Sequence, residues 1–336
     1  MKKVTISDIA RKLNMTASTV SRALANNTRV SESTRAKVQV TAREMGYQPN
    51  VMAASLRKGT SDSIGMIVPR INRHFFSNVI SGVEEILNPA GYNLVIIQSG
   101  EMLSREVKAV ESLLQNRVGG IIISLSLQTN SFEHLQEVIK HNVPLVQFDR
   151  VTKSLPGSKI TNDNYTGGYL ATRHLIKCGF KHIAHFSGSY KLRAYRERKA
   201  GYIAALEEAG MKVDEKLIVD DVITRDAGYS HIHKLVMRTS ADAVFCAGDY
   251  SALGAMEGLK SLGYHIPDQF GIVGFANEPF SELMDPALSS VEQNALEMGN
   301  KVAAAMIKAI QKEEVPEEEV IPVRFIGRSS SWKDYR

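Results

Sequence analysis

From residue 64 onward the chain alternates short apolar, β-branched runs with amphipathic stretches, and this rhythm limits the folds open to it more than any other feature. The runs at 64–68, 94–97, 120–123 and 145–148 are too short for buried helices and read as buried parallel strands. Helical patterns lie between them, near 76–88, 103–117 and 131–141. The rhythm restarts at 159–161, 182–186, 216–219, 243–246 and 271–273. Strands alternating with helices predict doubly wound α/β units, and two series predict two lobes. Ligands of such sheets bind beyond the carboxyl ends of the strands, so the expected site is the cleft between the lobes.

The first sixty residues follow a different rule. In the stretch 5–24, TISDIARKLNMTASTVSRAL, Thr5 can cap a helix, with Asp8 completing a capping box. Ile6, Ile9, Ala10 and Leu13 share one face, and Asn14 tolerates the left-handed turn that ends a helix. Thr16 caps a second helix with Val20, Ala23 and Leu24 inward, leaving Ala17, Ser18, Ser21 and Arg22 outward. A small, polar and basic outer face suits the DNA major groove. Ser31 caps a third helix that reaches about Met45, where Gly46 and Pro49 end it.

Charge separates head from body. Residues 1–60 carry 11 Lys and Arg against 3 Asp and Glu, or +8, while the remaining residues carry 30 against 33, or −3. A basic head on a slightly acidic body is a footprint for phosphate backbones. No apolar run is long enough to span a membrane, and the basic N-terminus lacks the apolar core of an export signal. Cys178 and Cys246 are far apart, which excludes metal spacing and fits a reducing cytoplasm. A cytoplasmic protein with no membrane partner and no cofactor is expected.

Together T-x-x-D-I-A, S-T-V-S-R-A-L, V-S-x-x-T-R-x-K-V, G-Y-x-P-N and A-x-S-L-R, spread over residues 4–58, resemble the lactose-repressor (LacI/GalR) family of bacterial regulators. Further segments, NDNYTGGYLATRHLI, RERKAGY, AGDYSALGAM and VGFANEPF, resemble that family's effector-binding core, which is related to periplasmic sugar-binding proteins. The resemblance implies an α/β chain: a three-helix helix-turn-helix head at 1–48, a hinge at 49–60, and a two-lobed core at 61–336. In such cores the chain crosses between lobes repeatedly, so lobe 1 would hold about 61–160 and 293–320, and lobe 2 about 161–292 and 321–336.

The resemblance also implies roles. Ala17, Ser18 and Arg22 would contact bases, with Arg22 able to grip a guanine bidentately. Thr5, Thr16, Ser21 and Asn26 would hold phosphates. At the hinge, Asn50 caps a short helix containing Ala53, and Leu56 is the apolar wedge in the minor groove. The partners implied are a pseudo-palindromic double-stranded DNA operator, a second copy of the chain and a small-molecule effector. Which operator, and whether the effector releases or recruits DNA, is left open.

For the effector, Phe75 and Phe76 follow the first strand and either stack on a ring or fill the core. Asp149 ends a buried strand, where ligand hydroxyls or an arginine would compensate its charge. Arg196, in RERKAGY, and Gln293, in SSVEQ, align with effector contacts of the family, Ile223 takes the place of an aromatic wall, and Asp249 and Asn277 lie in the matching loops. Two departures matter: Ala247-Gly248-Asp249 stands where relatives carry A-N-D, and Gly274-Phe275-Ala276 lacks the aspartate that follows G-[FY]. These losses, with Arg70 and Arg73 near the first strand and Arg196 beside them, favour a sugar acid or sugar phosphate over a neutral sugar.

Two rivals remain. A transport-associated sugar-binding protein would share the body but not the basic head. An α/β enzyme with an appended head would need a catalytic motif, and G-x-G-x-x-G, Walker A, H-E-x-x-H, C-x-x-C and G-x-S-x-G are all missing. The expectation is a DNA-binding repressor controlled by a carbohydrate-type effector, and not an enzyme.

Overall fold

A computed structural model describes residues 4–47 and 61–332. The chain divides into two compact units, Met1–Ser61 and Asp62–Arg336. In the first, α1 (Ile6–Leu13), α2 (Ala17–Leu24) and α3 (Glu32–Glu44) each start at a hydroxyl cap. Thr5 accepts from the Asp8 N–H at 3.3 Å while its own N–H donates to the Asp8 carboxylate at 3.0 Å, closing the capping box. Asn14 takes the left-handed conformation, φ 52°, and turns the chain into the Thr16 cap of α2. Ile9, Ala10, Val20, Ala23, Val30, Val38 and Ala42 form the core of the unit. Such a small core gains rigidity from its caps, each worth about 1 kcal/mol.

The second unit is built on two parallel sheets. Among the described residues, the first has the strand order β11 (Glu318–Ile321), β5 (Ser158–Asn162), β4 (Leu145–Phe148), β3 (Gly120–Ile123), β1 (Ser63–Val68), β2 (Asn93–Gln98). The other has the order β7 (Ile218–Val219), β6 (Ile183–Phe186), β8 (Ala243–Cys246), β9 (Gly271–Val273). A short antiparallel pair, β10 (Ser290–Glu292) with β12 (Arg324–Ile326), completes the set. Strands β1, β3, β4, β6 and β8 are buried on both faces, which is why their sequences run apolar without alternation.

Helices α4 (His74–Leu87), α5 (Leu103–Gln115) and α6 (Glu133–Lys140) belong to the first lobe. In the second lie α7 (Asn164–Lys177), α8 (Arg193–Glu208), α9 (Arg225–Arg238) and α10 (Asp249–Ser261). The chain then returns: α11 (Ala295–Gln311) packs with α4 into the core of the first lobe, and β11 pairs with β5 before β12 joins β10. Both expected strands near 182 and 216 start late, for local reasons. The Asp242 carboxylate takes the backbone N–H groups of Lys181 and His182. Asp214 accepts from Lys216 N–H at 3.0 Å and folds residues 215–217 into a 3-10 turn.

Candidate functional site

On the head, the outward residues of α2 are where helical phase puts them: Ala17, Ser18 and Arg22 are exposed, with Ser21 half-buried. Thr5 and Thr16 spend their hydroxyls on the caps of α1 and α2, and Thr16 also bonds Ser18 at 2.9 Å. Asn26 turns left-handed, φ 51°, and its side chain accepts from Gln39 at 2.8 Å. Asn50, Ala53 and Leu56 lie outside the described residues.

Between the lobes, a cavity of about 120 Å³ lies beyond the carboxyl ends of the strands. The first lobe supplies Arg73, Phe75, Phe76, Asp149 and Arg150. From the second come Tyr195, Arg198, Ile223, Asp249, Tyr250 and Glu278, with Gln293 at the crossover. Asp149 follows β4 in a left-handed conformation, φ 56°, which an aspartate tolerates and which turns its carboxylate out of the sheet. The Ser124 hydroxyl donates to it at 3.3 Å, and Arg150 lies 3.7 Å away. Burial raises the Asp149 pKa, against the pull of Arg150, Arg198 and Ser124. Arg150 also donates to Glu101 at 2.7 Å, so its charge is largely compensated by protein carboxylates.

Arg198 is the basic group the cleft is built on. Its Nε donates to Asn164 at 2.9 Å, one Nη to the Ala247 carbonyl at 2.7 Å, and its plane lies 3.6 Å over the Phe275 ring. Burial pushes its pKa down, while Tyr195 and Asp149 oppose that shift. These fixed contacts orient the guanidinium before any ligand arrives. Across the cleft, Arg73 stacks on the Tyr250 ring at 3.6 Å.

Three expectations fail here. Arg196 does not line this cavity: it is exposed and donates to the carbonyls of Tyr190 and Lys191, each at 2.8 Å. Two residues further along a helix is a rotation of about 200°, so Arg198 occupies the inward phase instead. Arg70 is also outside, about half exposed and 3.9 Å from Glu101. Asn277 is a brace, donating to Glu292 and accepting from Arg328, both at 2.8 Å. It holds the cavity wall where Ala276, φ 117°, takes a conformation costly for a residue with a side chain, and its own φ of 49° is one that asparagine tolerates. Asp249 does line the cavity, but its oxygens are taken by Ser290 at 2.6 Å, Ser281 at 2.9 Å and the Glu278 N–H at 2.7 Å. Burial raises its pKa and those three donors counter it. Burial likewise raises the Glu278 pKa, aided by Asp249 and opposed by Arg73. Phe75 and Phe76 are both core and wall, packed edge to face at 5.2 Å.

Sequence reasoning missed Arg198, Arg150, Tyr195, Tyr250 and Glu278. For Arg198 a signal existed: Ala194, Arg198, Gly201, Tyr202 and Ala205 form one buried stripe at helical spacing.

Comparison with known proteins agrees with both units. Residues 61–329 match the model of the periplasmic binding proteins and sugar binding domain of the LacI family, and residues 5–50 match that of the bacterial regulatory proteins of the lacI family. The chain belongs to the LacI family. This LacI-family chain is 33% identical over 310 residues to the HTH-type transcriptional repressor PurR of Vibrio atlanticus (strain LGP32), covering 91% of the chain and 92% of the relative. It is 31% identical to the HTH-type transcriptional regulator DegA of Bacillus subtilis (strain 168), with 88% of each covered. The fold is similar to that in the crystal structure of the Lac repressor dimer bound to operator and the anti-inducer ONPF, at TM-score 0.87 and 23% identity, covering 99% of the chain and 100% of that structure's chain. The LacI-family chain is therefore a DNA-binding transcriptional regulator with a ligand-binding domain, and not an enzyme. Among the described residues, no helix is long and apolar enough to cross a membrane.

Proposed function

We propose that two copies of the chain bind a pseudo-palindromic operator and repress transcription, under control of a small polyhydroxylated ring bound between the lobes. The observation that carries the effector reading is the opposition of Asp149 in one lobe and Arg198 in the other, framed by Phe76, Tyr195 and Phe275. A hydrogen-bonding pair within aromatic walls fits a ring with hydroxyls on its edge and C–H groups on its face. The charge balance favours a neutral compound. Arg73, Arg150 and Arg198 face Asp149, Asp249 and Glu278, and two of the arginines that argued for an anion lie elsewhere.

A second copy is supported by an edge of the first sheet that is free among the described residues. Strand β2 ends the sheet, with Val95 and Ile96 each 40% exposed. Exposed apolar edges are normally covered. The test of the effector reading is a thermal-shift panel of neutral sugars, sugar acids and sugar phosphates on the wild type and on Asp149→Ala, which removes one member of the opposed pair. A ligand at about 100 times its Kd stabilises by roughly 2.7 kcal/mol. A neutral sugar should shift the wild type and leave Asp149→Ala unchanged. A response confined to sugar phosphates or sugar acids would contradict the neutral assignment.

A further inference from the structure

Arg196, excluded from the effector cleft, lines a second and larger cavity between the same two lobes, of about 570 Å³. Its first-lobe wall includes Leu125 and Phe132, which follow β3, and its second-lobe wall includes Lys191 and Leu192, which precede α8. Arg150 borders both cavities.

The basic groups around this space are not equivalent. Arg193 is committed to Glu197, at 2.5 Å, and to Glu318. Lys153 pairs with the same Glu318 at 3.5 Å, and Arg150 is held by Glu101 at 2.7 Å. Lys191 and Arg196 have no carboxylate partner among the described residues. Arg196 is nevertheless held in place. Both of its side-chain hydrogen bonds run from Nη1, to the carbonyls of Tyr190 and Lys191 at 2.8 Å each. That uses both Nη1 protons and leaves the Nε–Nη2 edge, the pair of parallel donors that matches two oxygens of a carboxylate or phosphate. A guanidinium anchored on one edge loses little further freedom when the other edge binds.

We infer that this cavity is a second ligand site, separate from the effector cleft, which takes a small amphiphilic oxyanion. Its charged head meets the open edge of Arg196 and the Lys191 ammonium, and its apolar body lies against Leu125, Phe132 and Leu192. Such a ligand touches both lobes and Arg150, so its binding is coupled to that of the effector, and the coupling is reciprocal.

Calorimetric titration of the full chain with phenyl phosphate, benzoate and benzyl alcohol tests this. At least one of the two anions should bind, and which one identifies the preferred head group, whereas benzyl alcohol should not. The Kd of that anion should rise about tenfold or more in Lys191→Ala, in Arg196→Ala and in Ala200→Glu. The last variant puts a carboxylate on the exposed rim of the cavity without touching the Arg196 anchor, so it remains informative if Arg196→Ala disturbs the turn before α8. Failure of both anions to bind the wild type overturns the assignment. So does equal binding of benzyl alcohol, or an unchanged Kd in Lys191→Ala and Ala200→Glu. None of these outcomes depends on the identity of the effector.

Discussion

At the scale of single residues, buried polar groups set both the chemistry and the acid sensitivity of the core. His185 is fully buried between the rings of Tyr202 and Phe245, with one ring nitrogen on the Phe245 carbonyl at 2.9 Å and the other, Nε2, without a partner among the described residues. Burial pushes its pKa down from 6.5 to about 4, opposed by the Phe245 carbonyl and aided by Lys199 and Arg198. The folded protein therefore binds fewer protons at this site than the unfolded chain. Its stabilising contribution is complete above about pH 6.5 and is lost as pH falls toward 4. The full loss amounts to about 3 kcal/mol for a shift of this size. His185→Phe should flatten the decline in stability between pH 6.5 and 4, measured by urea unfolding of the full chain. An unchanged slope would mean His185 is not a source of it. Such environments are poorly legible in sequence, where His185 sits in an ordinary strand pattern. Arg196 and Arg198 show the same limit: the family resemblance nominated Arg196 and passed over Arg198, which lies two residues on and which helical phase turns inward.

Among elements, three helix pairs in the core share one device. Each pair crosses with a glycine on both helices, so close that an added Cβ would strike backbone. In α7 and α8, Gly168 would meet the Arg198 carbonyl at 2.2 Å and Gly201 the Tyr165 carbonyl at 2.1 Å. In α4 and α11, Gly82 would meet the Leu296 carbonyl at 2.4 Å and Gly299 that of Val79 at 2.3 Å. The α9 and α10 pair repeats the pattern with Gly228 and Gly254. Helix propensity alone says that a mid-helix Gly→Ala change stabilises by about 1 kcal/mol. The close approach reverses the sign, since backbone must separate. Gly168→Ala should cost about 2 kcal/mol or more in urea unfolding and should also weaken effector binding, because it pushes on the segment that carries Arg198. A stabilised variant would show that the helices can part freely. The strand series at this scale was legible from β-branched runs of fixed length, and β3, β4, β8 and β9 fall on the expected residues. The glycine crossings were not, because a glycine within a helical pattern does not reveal what approaches it.

At the scale of the whole molecule, operator binding as proposed depends on pairing of two copies and on control by a ligand. If β2 forms part of a dimer interface, Ile96→Lys should shift the chain toward monomer in sedimentation velocity without unfolding it, and weaken operator binding with it. A dimer unaffected by that change would place the interface elsewhere. The head's charge of +8 over residues 1–60 further predicts that DNA affinity falls steeply with salt, since each neutralised phosphate contributes about −0.9 to the log–log slope. Fluorescence anisotropy of a duplex selected by the chain from random DNA, with and without the compound that shifts its melting, measures this control directly. A pseudo-palindromic selected site is expected, with an affinity that the compound changes by about tenfold or more in the wild type but not in Asp149→Ala. Equal responses in both proteins, or none in the wild type, would contradict control from the cleft.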